Sequence, residues 1–144
     1  MNTQSSTSIT IETTVKAPIE KAWECFTQPQ HITQWNFAID EWQCPTAEND
    51  LRKDGKFSYR MEAKDGSFGF DFGGTYDDVT AHSLISYTLG DGRKTEIKFI
   101  SQGNETKLIE TFEAETTNPV EMQRGGWQAI LDNFKKYTES QHKL

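Results

Sequence analysis

Glu110 is the residue with the clearest chemical potential. It sits in the row Thr106, Leu108, Glu110, Phe112, Ala114, and strand periodicity puts alternate residues on one face, so its carboxyl points to the apolar side. A buried carboxylate without a partner costs about 1–3 kcal/mol or more, so it must pair, take up a proton or meet water. In one reading it accepts a hydrogen bond from a ligand hydroxyl or acts as an acid–base group with a raised pKa. In the other it has an internal partner such as Tyr59, Tyr76 or Arg124, or a register that reaches solvent. Other chemistry is sparse. His31, His82 and His142 have no carboxylate or cysteine at metal-ligand spacing. The glycines at 69, 73 and 74 fall in a strand pattern without the helix that a phosphate or dinucleotide loop requires, and no nucleophile elbow occurs. No metal and no cofactor is expected. Cys25 and Cys44 are too far apart for a C-x-x-C pair and are expected to be reduced thiols.

The elements that must position Glu110 follow from periodicity. Ile9, Ile11, Thr13 and Val15 alternate with polar residues and predict a first strand. Pro18 suits the start of a helix whose apolar face is Ile19, Ala22, Trp23 and Phe26, ending at Thr27-Gln28-Pro29. A second short helix is expected from Pro29 to Gln34, then a short strand at Ile39–Gln43 and a loop around Pro45. From Gly55 the period is two: Phe57, Tyr59, Met61 and Ala63 share one face, and after the Asp65-Gly66 turn the inward row resumes with Phe68, Phe70, Phe72, Gly74 and Tyr76. Gly74 is expected to leave space in that row. His82-Ser83, Asp91-Gly92 and Gly103-Asn104 turn the chain into Leu84–Leu89, the Thr95–Ile97–Phe99 strand and the Glu110 strand. After Asn118-Pro119, the residues Met122, Trp127, Ile130, Leu131 and Phe134 recur at helical spacing. Gly125-Gly126 inside this helix costs about 1 kcal/mol per glycine, and predicts a surface packed closely against the backbone there.

The 144 residues fit one domain. Only about one residue in five is Ile, Leu, Val or Phe, with a net charge of -7, a composition near the disordered limit. Nine Phe, four Trp and four Tyr decide for folding, since each ring buries roughly 150–250 Å². A core built on rings is expected to be loosely filled. The acidic balance opposes nucleic-acid binding, and no stretch reaches the ~18 apolar residues of a membrane span. Without a leader pattern at Met1–Ser8, a cytoplasmic location is expected. Residues 1–7 and 141–144 are read as tails around a single domain at 8–140.

One strand, two short helices, a run of antiparallel strands and a long helix make an α+β arrangement. Its sheet of about six to seven strands must curve around the terminal helix to bury its apolar face. Ala17-Pro18 with Trp23 and Thr27, Trp35, Gly55-Lys56-Phe57, Asp91-Gly92-Arg93 and Glu121-Met122-Gln123-Arg124-Gly125-Gly126-Trp127 together resemble a known family. It comprises the bacterial single-domain homologues of the activator of 90-kDa heat-shock-protein ATPase, in the SRPBCC or START-like superfamily. The resemblance spans about Ile9 to Thr138. It implies a helix-grip fold with a cavity between sheet and helix, without implying one activity.

The expected function is therefore binding of a small, largely apolar molecule, aromatic or lipid-like, in that cavity. Its wall is expected to contain Tyr59, Met61, Phe70, Phe72 and Tyr76, with Phe99, Glu110 and Phe112 from later strands and Met122 and Trp127 from the helix. Trp35 and Trp42 form its entrance or cap the core. Two alternatives stand beside this: a co-chaperone-like interaction module with a chaperone partner, which the family name suggests, and a cyclase or hydrolase with Glu110 as general base and Tyr59 as electrophile.

Overall fold

The structure, a computed structural model, describes residues 7–141. The tails expected at 1–7 and 141–144 lie outside the described residues except for Thr7 and Gln141, and so does His142. The chain runs β1 (Ser8–Val15), α1 (Ile19–Thr27), α2 (Pro29–Ile32), β2 (Trp42–Gln43), β3 (Ala47–Asn49), β4 (Lys56–Ala63), β5 (Gly69–Thr80), β6 (Leu84–Leu89), β7 (Lys94–Gln102), β8 (Glu105–Glu113) and α3 (Val120–Gln141). The strands form one antiparallel sheet in the order β1-β8-β7-β6-β5-β4-β2, with short β3 also paired to β4. The sheet curves into a half-barrel around α3, which is the α+β arrangement expected from the pattern and the helix-grip fold that the family resemblance implies.

Curvature has local causes. A bulge between Tyr76 and Asp78 breaks the register of β5 against β6, and a bulge bends and twists its strand. Nearby, a side chain at Gly73 would collide with the Phe57 carbonyl, and one at Gly74 with the Thr88 carbonyl. Gly74 therefore permits close strand approach and does not leave the space expected of it.

The long helix is fastened to the sheet margin. Arg124 Nη1 donates to the Thr10 carbonyl (3.1 Å) and Lys135 Nζ to the Thr14 carbonyl (2.9 Å), covering the outer edge of β1, which would otherwise expose unpaired backbone. The His31 ring sits between the Tyr137 hydroxyl (2.6 Å from Nδ1) and Glu24 (3.1 Å from Nε2), tying α1 and α2 to α3. Under these helices the core is dense: Ile9, Val15, Ile32, Leu108 and Phe134 are fully buried. Cys25 and Cys44 are buried free thiols.

Three local expectations need correction. The second helix is one turn, ending at Ile32 and not Gln34; the strand placed at Ile39–Gln43 is only Trp42–Gln43; and a strand forms at Ala47–Asn49 beyond Pro45. These short pieces are set by pairing with β4, which leaves little periodic trace in two or three residues. No helix among the described residues is long and apolar enough to cross a membrane.

Candidate functional site

A partly enclosed cavity of about 290 Å³ lies between α3 and the concave face of the sheet. Tyr59 and Met61 come from β4, Phe70, Phe72 and Tyr76 from β5, Ile85 and Tyr87 from β6, and Glu110 from β8. Alternation brings each inward. The opposite wall is Gln123, Trp127, Ile130 and Leu131 of α3, whose spacing of four, three and one places them on one helix face. Phe26, Thr27, Trp35 and Asn36 close the end beneath α1 and α2, while Arg93 and Glu115 belong to the wall from the loops flanking β7 and β8.

Aromatic packing shapes this space. Trp127 stacks on Phe112 with ring centroids 3.9 Å apart and planes 9° from parallel, and meets Phe72 edge-on at 6.0 Å. Trp35 donates its indole N–H to the Cys25 carbonyl (2.9 Å) and packs on Phe26 and Phe134. Its ring is fixed by both ends, which makes it a wall and not a movable entrance.

Glu110 is 7% exposed. Its partners across the sheet are Ile11 on β1 and Ile97 on β7, and its same-face neighbours along β8 are Leu108 and Phe112. Among the described residues no hydrogen bond or ion pair reaches its carboxyl group. Tyr59, Tyr76 and Arg124, the expected internal partners, do not bond it; Arg124 is engaged by Thr10 and Glu121. Burial alone pushes the Glu110 carboxyl up to about 8. Burial also raises the Tyr87 phenol, with the nearby Glu110 adding to the effect. Burial raises Tyr59 well above the ordinary phenol, and neighbouring Tyr76 contributes in the same direction. Tyr76 is raised by burial as well, although hydrogen bonding to Tyr59 and Asn49 works against the shift. These phenols are therefore neutral donors across the ordinary pH range.

Four other polar groups in the wall are already occupied. Gln123 bonds the Glu115 amide and carbonyl and the Asn118 carbonyl. Glu115 accepts from the Thr117 and Asn118 amides and the Asn118 side chain, bonds that hold it below the usual carboxylate range. Arg93 pairs with Asp91 at 2.8 Å, and the Thr27 hydroxyl donates to the Trp23 carbonyl at 2.7 Å.

Of the residues expected at the site, Trp35, Tyr59, Met61, Phe70, Phe72, Tyr76, Glu110 and Trp127 lie in the cavity wall. Four do not. Phe112 lies behind Trp127, and Phe99 packs edge-on against Trp23 and Phe26 in the closed core. Met122 is 62% exposed, because Gln123 is the residue one turn before Trp127 on the inward face. Trp42 contacts Phe68 and Phe70 outside the wall. Phe68 is itself exposed in the hairpin before β5, so the inward row starts two residues later than the alternation suggested. Tyr87, Phe26 and Gln123 were missed as wall residues. Alternation through Leu84–Leu89 marks Tyr87, and the helical faces of α1 and α3 mark the other two. The close surface expected at Gly125-Gly126 is also absent, since a Cβ at either position meets nothing within 4 Å.

A curved sheet gripping a long C-terminal helix over an internal cavity defines the helix-grip class. The chain belongs to the family described as activator of Hsp90 ATPase homolog 1-like protein, whose profile matches residues 16–139. It is similar to an AHSA1-like protein from Aeromonas hydrophila at 40% identity, with a TM-score of 0.89 over 96% of this chain and 98% of that one. A protein from Cytophaga hutchinsonii is 51% identical, with a TM-score of 0.80 over 95% of this chain and 96% of that one. A protein from Nitrosomonas europaea, 16% identical over 93% of this chain and 95% of that one, shares the fold with a TM-score of 0.80. No curated protein matches the chain.

Proposed function

We propose that the protein binds a compact, largely apolar molecule in the cavity between its sheet and α3. The observation that carries this reading is a space of about 290 Å³ walled by aromatic rings, with the unpartnered carboxyl of Glu110 on its sheet side. Small-molecule sites are mostly apolar concavities of about 300–1,000 Å³ with a few placed polar groups that fix orientation. This cavity lies at the small end of that range, which favours one or two rings over a long acyl chain. Ring-on-ring contact supplies affinity, and Met61 adapts to the outline of the guest. Neither the co-chaperone nor the cyclase reading has a specific observation behind it.

A screen of apolar aromatic fragments by NMR tests the proposal. Binding shifts the Met61 methyl and Trp127 indole resonances together and leaves Lys56 and Ser58, on the outer face of β4, unmoved. A broad fragment set that moves none of the wall resonances would falsify it.

A further inference from the structure

We infer that the cavity selects organic cations: a compact body seated among the rings and one ammonium group set against the Glu110 carboxylate. The inference rests on the cavity being a ligand site, and it names the class of ligand.

Ile11 and Ile97 flank Glu110 across the sheet, Leu108 and Phe112 lie before and after it on its face of β8, and nothing among the described residues bonds its carboxyl. An acidic side chain buried in such surroundings is a standing cost in the empty protein, and a ligand that gives it a partner recovers part of that cost as affinity. Two kinds of ligand can do so. A neutral molecule with an acceptor atom takes a hydrogen bond from the protonated acid. An ammonium ion instead pairs with the carboxylate.

The rest of the wall favours the second. Trp127, Phe72, Tyr59 and Tyr87 surround the space, and aromatic faces carry negative potential that attracts cations, most strongly when water is excluded. A neutral acceptor ligand can take its hydrogen bond from the Tyr87 phenol, which keeps its proton, and does not need an acid. The one cationic side chain in the wall, Arg93, is paired with Asp91. The net charge of -7 adds a long-range attraction for cations.

The proton balance follows directly. The carboxyl titrates near 8 in the empty protein, so a cation arriving at neutral pH displaces the Glu110 proton to solvent and leaves an ion pair. Cation affinity therefore rises by close to tenfold per pH unit up to about 8 and levels off above. A neutral acceptor ligand shows the reverse, losing its donor as pH passes that value. Other groups facing Glu110 do not confuse this window. Tyr87 on β6, Tyr76 on β5 and Tyr59 on β4 are all raised above the ordinary phenol. Glu115, beyond β8, is lowered. From β1 and β7 the neighbours are isoleucines, and α1, α2 and α3 contribute no titratable side chain to the wall.

The test uses three probes of one shape and different charge: phenethylamine, 2-phenylethanol and phenylacetate. Each is titrated into the full chain and into Glu110→Gln at pH 6.5 and 8.5, where an alkylammonium near the lysine reference of about 10.4 keeps its charge. The Trp127 indole resonance reads binding. The expected result is that phenethylamine binds at least tenfold tighter than 2-phenylethanol at pH 8.5 and weakens at least tenfold at pH 6.5. In Glu110→Gln the preference and the pH dependence both vanish, while 2-phenylethanol still binds. Equal binding of amine and alcohol, a flat pH profile for the amine, or tightest binding of phenylacetate overturns the cation inference and leaves the cavity reading intact. If no probe moves Trp127, the cation inference falls, and the broad fragment screen decides the cavity reading separately. The pH profile of the unmodified protein decides the question even if the variant does not fold.

Discussion

The two ends of the space between sheet and helix are built from the same materials and finished differently. Beneath α1 and α2, Phe134 is fully buried and meets Phe26 and Trp35 edge-on, each at 5.1 Å between ring centroids. There the rings interlock, and a buried hydroxyl such as Thr106 finds the Ala17 carbonyl at 2.9 Å. Toward β4 and β5, Trp127 lies flat on Phe112, the remaining rings stand about 6 Å or more from it or line empty space, and Glu110 has no partner. Aromatic content alone therefore does not separate a core from a pocket. What separates them is whether the rings fill the space between sheet and helices or leave a gap, and whether that gap is bordered by a buried acid without a partner.

The largest expected effect tests the first half of that contrast. Phe134→Ala leaves a cavity among rigid neighbours and is expected to destabilise the protein by about 3–5 kcal/mol, the usual range for a buried ring. Phe72→Ala removes a ring already facing empty space, so it forfeits fewer contacts and is expected to cost about 1–2 kcal/mol. Urea unfolding of both variants measures the difference, and equal losses would mean that the two ends are packed alike.

The second test concerns polar satisfaction. Glu110 titrates at about 8 when folded, against an ordinary value of 4.5. Between those values the folded state holds a proton that the unfolded state has lost, so stability from this group is greatest below about 4.5. It declines as pH rises and is fully lost above about 8. Glu110→Gln removes the decline. The variant is expected to match the parent near pH 4 and to exceed it by a few kcal/mol at pH 9, on the scale of 1.36 kcal/mol per pKa unit. Thermal unfolding across that range checks it, and parallel pH curves for the two proteins would show that Glu110 has a partner after all.

The same contrast explains what could be read in advance. Long alternating rows such as Lys56–Ala63 and Thr106–Ala114 specified strand faces, because period two is unambiguous over eight residues or more, and this put Glu110 on the inward side. The helical spacing of Trp127, Ile130, Leu131 and Phe134 likewise identified the inward face of α3. The sequence could not show where along α3 contact with the sheet gives way to a gap. That depends on the bulge in β5 and the close approach at Gly73 and Gly74, which set the curvature. Phe112 and Phe99 were placed in the wall for this reason: both face inward, but one is covered by Trp127 and the other by Trp23 and Phe26.

Two glycines give the finest test, because the same substitution should have opposite signs in the sheet and in α3. Gly74 lies against the Thr88 carbonyl, where an added methyl group forces β5 and β6 apart. Gly126 lies one turn from Gln123 and Ile130, which face the cavity from α3, and a methyl group there meets nothing within 4 Å. In a helix interior alanine is favoured over glycine by about 0.5–1 kcal/mol when nothing obstructs it. Gly126→Ala is thus expected to stabilise the protein by that amount and Gly74→Ala to destabilise it, as read from urea midpoints. If Gly126→Ala were destabilising instead, the helix backbone would have to be in contact with the sheet at that turn, and the gap between them would be smaller than the structure describes.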